Sequence, residues 1–535
     1  MFRKVPLIVI LGSTGTGKTK LSLELAERFG GEIISADSMQ VYANLDIATA
    51  KATKEEQSRA KHHLLDVATP NEPFTVVHFR NKALPILENL LAQGKSPIVV
   101  GGTNYYIESL LWDILVSPTD CSSNENLSKL PASATPPPPS TLADKAKACT
   151  SGNVNDDADD IVATVSGNVE NSSFIAAEKM LTMSSELLHN HLRNIDPETA
   201  NRIHPNNKRK IMRAIEFYQQ TGQTLSSKLN EQRQQPGGNR LGGPLRYPHT
   251  ILLWLRCNQD VLNKRLDKRV DAMLEQGLLR EIRAFHNEHN VNNSISGNTC
   301  DTTSTSASVS SSSSSNYTKG VLQTIGFKEF IPYLEQFNAA NDQKIETYLQ
   351  ANAYKMPTEE QFKSYASSIN EVHDAEAVNL KVPKDHLPPG LDVLNSCLNE
   401  LKLVTRRYSK KQIKWINNRF LASRDRQVPD LYELDTSDVG QWHERVYSPA
   451  VNIIDAYRNG QMCEIEPMQK RQHPGAGLNE ETSNFCTVCE RHFIGEYQWQ
   501  LHLKSNKHKK RKEGLRKKTK TLTSMATNPP QNLKE

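Results

Sequence analysis

Residues Leu7–Thr19, LIVILGSTGTGKT, constrain this chain more than any other stretch. Leu7 to Leu11 is apolar, partly β-branched and bounded by turn formers, so it reads as a strand buried on both faces of a parallel sheet. Gly12, Ser13, Thr14, Gly15, Thr16, Gly17, Lys18 and Thr19 follow as G-x-x-x-x-G-K-[ST]. Lys20 to Arg28 continues with helical periodicity, its apolar side formed by Leu21, Leu23, Leu25 and Ala26. Strand, glycine loop and helix in this order make a phosphate cradle. Loop N–H groups wrap the oxygens, the helix N-terminus adds partial positive charge, and Lys18 adds a full one. Thr19 is suited to hold a phosphate oxygen or a Mg²⁺ ion. Alone, the loop indicates a nucleotide, with ATP as the default ligand.

The rest of the chain expands this beginning into an α/β fold. Glu32–Asp37 reads as a second strand ending in an acid, His62–Val67 as a short one, Pro97–Thr103 as a third buried strand running into a glycine turn, and Thr250–Leu255 as a fourth. Helices are expected at Phe74–Gln93, from about Tyr105 to Leu115, and from Val261 to about His289. Alternating strands and helices indicate a parallel sheet with its sites at the strands' C-terminal ends.

Composition divides the chain further. At 535 residues it has room for several domains, and its 37% hydrophobic content marks part of it as polar filler. The expected layout is a P-loop core at 1–116, a disordered Ser/Thr/Pro-rich insertion at 117–171 and a helical insert at 172–248. The core resumes at 249–289 and 317–335, around a serine-rich insertion at 290–316. A polar insertion at 336–390 precedes the C-terminal part of the catalytic region at 391–465. Asp196-Pro197 reads as the N-cap and first residue of a helix. A finger at 484–512 and a basic tail at 513–535 complete the chain.

The eight cysteines are scattered except for Cys486 and Cys489, which suits a reducing compartment and excludes a disulfide framework. Mitochondrion, cytoplasm and nucleus stay open. No apolar run approaches a membrane span, so a soluble protein acting as a monomer is expected, with no signal peptide ahead of the first strand.

Three groups carry candidate chemistry. Asp37, at the end of its strand, points toward the phosphate loop and suits a general base facing a phosphate group. Thr103 after Gly101-Gly102 is a helix N-cap or a site hydroxyl, and spacing alone favours the cap. Arg265 and Arg269, one helical turn apart, could clamp a diphosphate, but the neighbouring Asp267, Lys268 and Asp271 make a solvated helix face the favoured reading of the pattern alone. At the other end, Cys486, Cys489, His502 and His508 have the spacing C-x₂-C-x₁₂-H-x₅-H. This is a Zn²⁺-binding C₂H₂ finger, with Phe493 and Leu501 available for its small core. The lysine-rich helix after it implies nucleic acid or nuclear targeting.

Taken together these motifs resemble a known family. Gly12–Thr19, Asp37-Ser-Met-Gln-Val-Tyr42, Asp46-Ile-Ala-Thr-Ala-Lys51, His62-His63 and Val100-Gly-Gly-Thr-Asn-Tyr-Tyr106 resemble the tRNA dimethylallyltransferases, also called tRNA isopentenyltransferases. The likeness continues at Arg202-Ile-His-Pro-Asn206, Arg213-Ala-Ile-Glu216, Arg265–Met273, Ile325–Phe330 and Thr405–Trp415, and the finger is similar to that of the eukaryotic branch. The resemblance implies a nucleotide-kinase-like P-loop sheet and transfer of a dimethylallyl group from dimethylallyl diphosphate to N6 of the adenosine 3′ to the anticodon, with Mg²⁺. It implies Asp37 as general base, Thr19 and Arg269 on the diphosphate, Thr103 near the transferred group, and tRNA contacts from Asp37, Ser38, Met39, Gln40, Arg209, Lys210 and Arg213. One departure is Asn207, at a position usually acidic in the family. The alternatives are a P-loop NTPase or small-molecule kinase with an appended finger, and an RNA-binding protein without catalysis.

Overall fold

The computed structural model describes residues 5–70, 72–114, 175–296, 320–363, 387–422, 425–471, 475 and 478–526. The insertion expected at 117–171 and most of that at 290–316 lie outside them. Two compact units are present: Met1–Leu115 with Asn230–Ala476, and Val116–Leu229 with Gly477–Glu535.

The first unit is built on a parallel sheet of six strands in the order β3-β2-β4-β1-β5-β6. The strands are β1 (Leu7–Gly12), β2 (Glu32–Ser35), β3 (His62–His63), β4 (Pro97–Val100), β5 (Thr250–Arg256) and β6 (Leu431–Asp435). Ile8 of β1 sits opposite Ile98 of β4 on one side and Ile251 of β5 on the other. Between the early strands run α1 (Lys18–Phe29), α2 (Lys54–Arg59), α3 (Val76–Ala92) and α4 (Asn104–Leu111). Leu7, Val9 and Leu11 pack on Phe79, Leu87 and Ile107 of α3 and α4, whereas Ile8 and Ile10 share a cluster with Leu21 and Leu25 of α1. Both faces of the sheet are covered, which is why β1 is apolar at consecutive rather than alternate positions.

In the second unit, α5 (Ala177–Thr182), α6 (Ser185–Ile195), α7 (Pro197–Arg202) and α8 (Lys208–Thr221) surround Leu188, Leu192, Ile211 and Ile215. Asp196 caps α7, accepting the Thr199 N–H at 2.9 Å, with Pro197 opening the helix. Asn207, the departure noted above, caps α8 through the Lys210 N–H at 3.4 Å, a role an amide oxygen fills as an acid does. The finger belongs to the same unit. Arg202 pairs with Glu481 at 2.9 Å, and the rings of His204 and His492 meet edge to face at 5.9 Å. α9 (Leu225–Gln234) follows α8 in the chain.

The helix expected from Val261 to about His289 is two helices, α10 (Gln259–Glu275) and α11 (Leu278–Ser296), separated at Gln276-Gly277. After α12 (Ile331–Gln336), the segment read as polar from 336 contains α13 (Ala339–Ala351), which buries Ile345, Leu349 and Asp342. Asp342 receives Arg283 at 2.7 and 3.1 Å and the Tyr333 hydroxyl at 2.7 Å. This part of the core is organised around a buried charge pair, which hydrophobic periodicity does not reveal. α14 (Leu391–Ile416) follows, then the edge strand β6, unexpected because LYELD is short and exposes Glu433. α15 (Ser448–Asn459) closes the unit by packing Ile453 and Ile454 on the sheet.

Glu108 in α4 is fully buried and holds Arg419 at 2.6 Å and Arg426 at 2.5 Å, the latter lying 3.6 Å from the Trp112 ring centroid. Glu108→Ala leaves Arg426 buried without its counter-charge and is expected to cost about 3–5 kcal/mol of stability. A urea midpoint unchanged from the parent protein would refute this.

Candidate active site

The phosphate loop joins β1 to α1 at the C-terminal edge of the sheet. Gly17 caps α1 with φ +87° and no side-chain cap bond, so the first N–H groups of the helix have no side-chain acceptor at the cap. A Cβ at Gly17 would lie 2.8 Å from the Trp442 ring, so only glycine lets the loop rest against that indole. The Ser13 carbonyl accepts the Thr16 hydroxyl at 2.8 Å and the Lys18 ammonium at 2.9 Å, which folds Lys18 back over the loop. Burial pushes Lys18 down to about 8; the Asp37 carboxylate opposes this and the Arg269 charge adds to it. Burial likewise lowers Arg269, again opposed by Asp37.

These three charges line one cavity of about 290 Å³ with Thr14, Gly15, Gly17, Thr19, Gln40, His62, Gly101 and Gly102. Asp37 follows β2, and its Oδ1 accepts the Met39 N–H at 3.0 Å. The Gly101-Gly102 turn after β4 comes up beside it. A Cβ at Gly102 would stand 3.3 Å from Asp37 Oδ2 and 2.6 Å from Gln412 Nε2, so the second glycine leaves room for the carboxylate. Thr103 occupies the N-cap position of α4 but makes no side-chain cap bond. Its hydroxyl accepts the Ser38 N–H at 2.9 Å and donates to Ser38 Oγ at 3.1 Å, tying the two turns together. The hydroxyl is engaged by Ser38 in place of the helix N–H groups it would cap. The crevice thus combines an anion cradle with one carboxylate opposite it, an arrangement suited to displacing a phosphate leaving group with an N–H or O–H nucleophile.

The second motif also assembles. β7 (Ser483–Cys486) and β8 (Arg491–Ile494) form a hairpin followed by α16 (Glu496–Lys504) and α17 (Asn506–Ala526). The ligand atoms of Cys486, Cys489, His502 and His508 lie within 4.8 Å of one another. His508 Nδ1 is 3.5 Å from Cys486 Sγ, 3.6 Å from Cys489 Sγ and 3.1 Å from His502 Nε2. Neighbouring ligands of a tetrahedral zinc stand roughly 3.3–3.8 Å apart, so this donor set fits the ion. Phe493 stacks on His502 with centroids 3.9 Å apart and also contacts Trp499, whereas Leu501, expected in the small core, is 46% exposed. The helix turns Leu501 outward and Trp499 takes its place. Cys489→Ser, or removal of metal by a chelator, is expected to unfold 483–509 and leave the sheet intact, because such a module has little core without its ion. Limited proteolysis with and without added Zn²⁺ measures it.

The family profile described as IPP transferase matches residues 40–149 and 158–419. The chain belongs to the IPP transferase family. A profile described as isopentenyl transferase matches residues 5–71, and one described as zinc-finger double-stranded RNA-binding matches 483–509. The tRNA dimethylallyltransferase of Mus musculus is 36% identical over 507 residues, covering 95% of this chain and 85% of the relative. That of Homo sapiens is 34% identical over 542 residues, covering 99% and 91%. A solved eukaryotic dimethylallyltransferase acting on tRNA, 23% identical, superposes with a TM-score of 0.62 and covers 97% of this chain and all of that one; it shows a shared fold.

In this IPP transferase the expected site residues fall into groups. Thr14, Gly15, Gly17, Lys18, Thr19, Asp37, Gln40 and Arg269 line the cavity. Ser38 and Thr103 are joined at its edge. Gln40 accepts the Ser35 hydroxyl at 2.9 Å and donates to the carbonyls of Thr49 and Ala50, so its side chain braces the loop under the cavity. Met39 Sδ accepts the Thr324 hydroxyl. Arg265 leaves the clamp considered for it: its guanidinium donates to the Thr436 and Ser437 carbonyls at 2.6 and 2.9 Å, anchoring the loop after β6. Arg209, Lys210 and Arg213 are exposed along α8 in the second unit. Three neighbours were not read as site residues from the sequence: Trp442 behind Gly17, and Tyr408 and Gln412 of α14. The Arg-Arg-Tyr-Ser-Lys-Lys-Gln pattern marked that helix as basic, and nothing local marks which of its side chains turns inward.

Proposed function

We propose that this IPP transferase transfers the dimethylallyl group of dimethylallyl diphosphate to N6 of the adenosine 3′ to the anticodon in tRNA. One observation carries the reading: the phosphate loop, Arg269 and Asp37 converge on a single cavity, with the carboxylate facing the cations. The curated tRNA dimethylallyltransferases that align with nearly the whole chain support the choice of donor and acceptor.

The donor's diphosphate lies against the loop N–H groups, Lys18, Thr19 and Arg269. As the bond between C1 and the bridging oxygen breaks, charge accumulates on that oxygen and these groups stabilise it. N6 forms the new bond to C1 and its proton passes to Asp37, so diphosphate is the only leaving group. Thr103 holds the turn beside the reacting carbon. The Thr19 hydroxyl suits Mg²⁺, which, when bound, would supply further charge neutralisation on the diphosphate. The adenosine leaves its stack to reach the cavity, and the exposed basic residues of α8 and α17 supply phosphate contacts.

The test uses zinc-loaded protein, labelled dimethylallyl diphosphate, Mg²⁺ and a tRNA with adenosine at that position. Label at N6 is expected; none in tRNA, or ATP turnover that ignores tRNA, defeats the reading. A pH dependence accompanies it. Lys18 binds the donor in its charged form, and in the free enzyme its proton is lost as pH rises through about 8. kcat/KM for the donor is therefore expected to fall above about pH 8, while kcat, read with the diphosphate already bound and holding the proton in place, falls only at higher pH. Coincident limbs would remove Lys18 from donor capture.

A further inference from the structure

α14 reaches the crevice from the far end of the sequence. Its buried stripe is apolar at Leu394, Leu398 and Leu401 and turns polar at Thr405, Ser409 and Gln412. Gln412 is 3% exposed and bridges two walls of the site. Its Oε1 accepts the Thr14 N–H of the phosphate loop at 2.9 Å, and its Nε2 donates to the Gly102 carbonyl at 2.8 Å. Its own carbonyl accepts Asn104 Nδ2 at 3.2 Å. One side chain therefore links the loop that faces the diphosphate to the turn that carries Thr103. Tyr408, one helical turn earlier, brings its phenol beside the side chains of Thr103 and Gln412. Burial, then the Asp37 charge, pushes its phenol up to about 12, so it stays a neutral hydroxyl at working pH.

We propose that Gln412 is a positioning residue for the transfer, setting the separation between the phosphate loop and the Gly102-Thr103 turn. The proposal rests on the transferase reading of the crevice. Displacement needs N6 and C1 within about 3–3.5 Å and in line, and an error near 1 Å costs up to about 100-fold. The donor is held from the loop side and the acceptor from the Asp37–Thr103 side. Gln412 ties the two sides directly, and no charge of its own enters the reaction.

Gln412→Met keeps the volume and removes both hydrogen bonds. Gln412→Glu keeps the acceptor for Thr14 and loses the donor to Gly102. In the full zinc-loaded chain, Gln412→Met is expected to lower kcat about 30-fold and to weaken inorganic pyrophosphate binding at least about fivefold, with tRNA affinity within about twofold of the parent. Gln412→Glu is expected to lower kcat by a similar factor. Values of kcat within twofold of the parent in both overturn the proposal. A loss of kcat in Gln412→Met that is matched by an equal loss of folded protein, with Gln412→Glu fully active, also overturns it, because that pattern marks a packing role. If the parent itself transfers no label, the transferase reading fails. Pyrophosphate binding then decides the proposal alone: weakening in Gln412→Met sustains the loop-positioning role and an unchanged affinity overturns it.

Discussion

Asp37→Asn is expected to lower the single-turnover rate of dimethylallyl transfer about 10³-fold, within the range that removal of a general base produces. The amide keeps the shape of the carboxylate, and its oxygen still accepts the Met39 N–H seen at 3.0 Å, so the turn should survive. What disappears is the acceptor for the N6 proton. A second effect runs the other way. Asp37 is the anionic neighbour that opposes the burial of both Lys18 and Arg269. Without it the two cations lose the carboxylate that offsets their burial, and inorganic pyrophosphate should bind at least as tightly as to the parent. Lys18 falls further below about 8, so the alkaline limb for donor capture moves to lower pH. A near-parental rate would remove Asp37 from the chemistry, and loss of pyrophosphate binding would make its role structural.

Arg269→Leu is expected to lower kcat about 10²–10³-fold and to weaken pyrophosphate binding, because a preorganised cation is removed from where charge accumulates on the leaving group. tRNA affinity should change little, since α10 carries Arg269 on the phosphate side of the cavity. Lys18 should also rise, as the Arg269 charge is one of the two influences holding it down. Arg265→Leu is the contrasting variant. Its guanidinium serves two carbonyls after β6 rather than the cavity, so it should cost about 1–3 kcal/mol of stability with kcat near that of the parent. Equal effects of the two substitutions on kcat would mean that α10 acts through its packing alone.

The contrast between Arg265 and Arg269 shows where sequence information stops. Four residues apart on α10, they look alike in the chain, and the family resemblance alone separated them. The phosphate loop, the helix start at Asp196-Pro197 and the metal ligands were legible because each depends on neighbours in the chain: glycine conformations, a cap three residues away, and a spacing that closes around one ion. β1 was legible because burial on both faces leaves a continuous apolar run. Thr103 obeyed local rules in its backbone position and departed from them in its hydroxyl, which turned to Ser38, 65 residues earlier. α13 and β6 escaped notice because a buried ion pair and an exposed glutamate replace the apolar pattern that announces a core element. Gln412 meets Thr14 across 398 residues, and no rule of periodicity or spacing reaches that far. Local geometry follows from covalent neighbours. Which helix face meets which loop follows from how sheet, α10 and α14 exclude water together, and that packing decides which side chains complete the crevice.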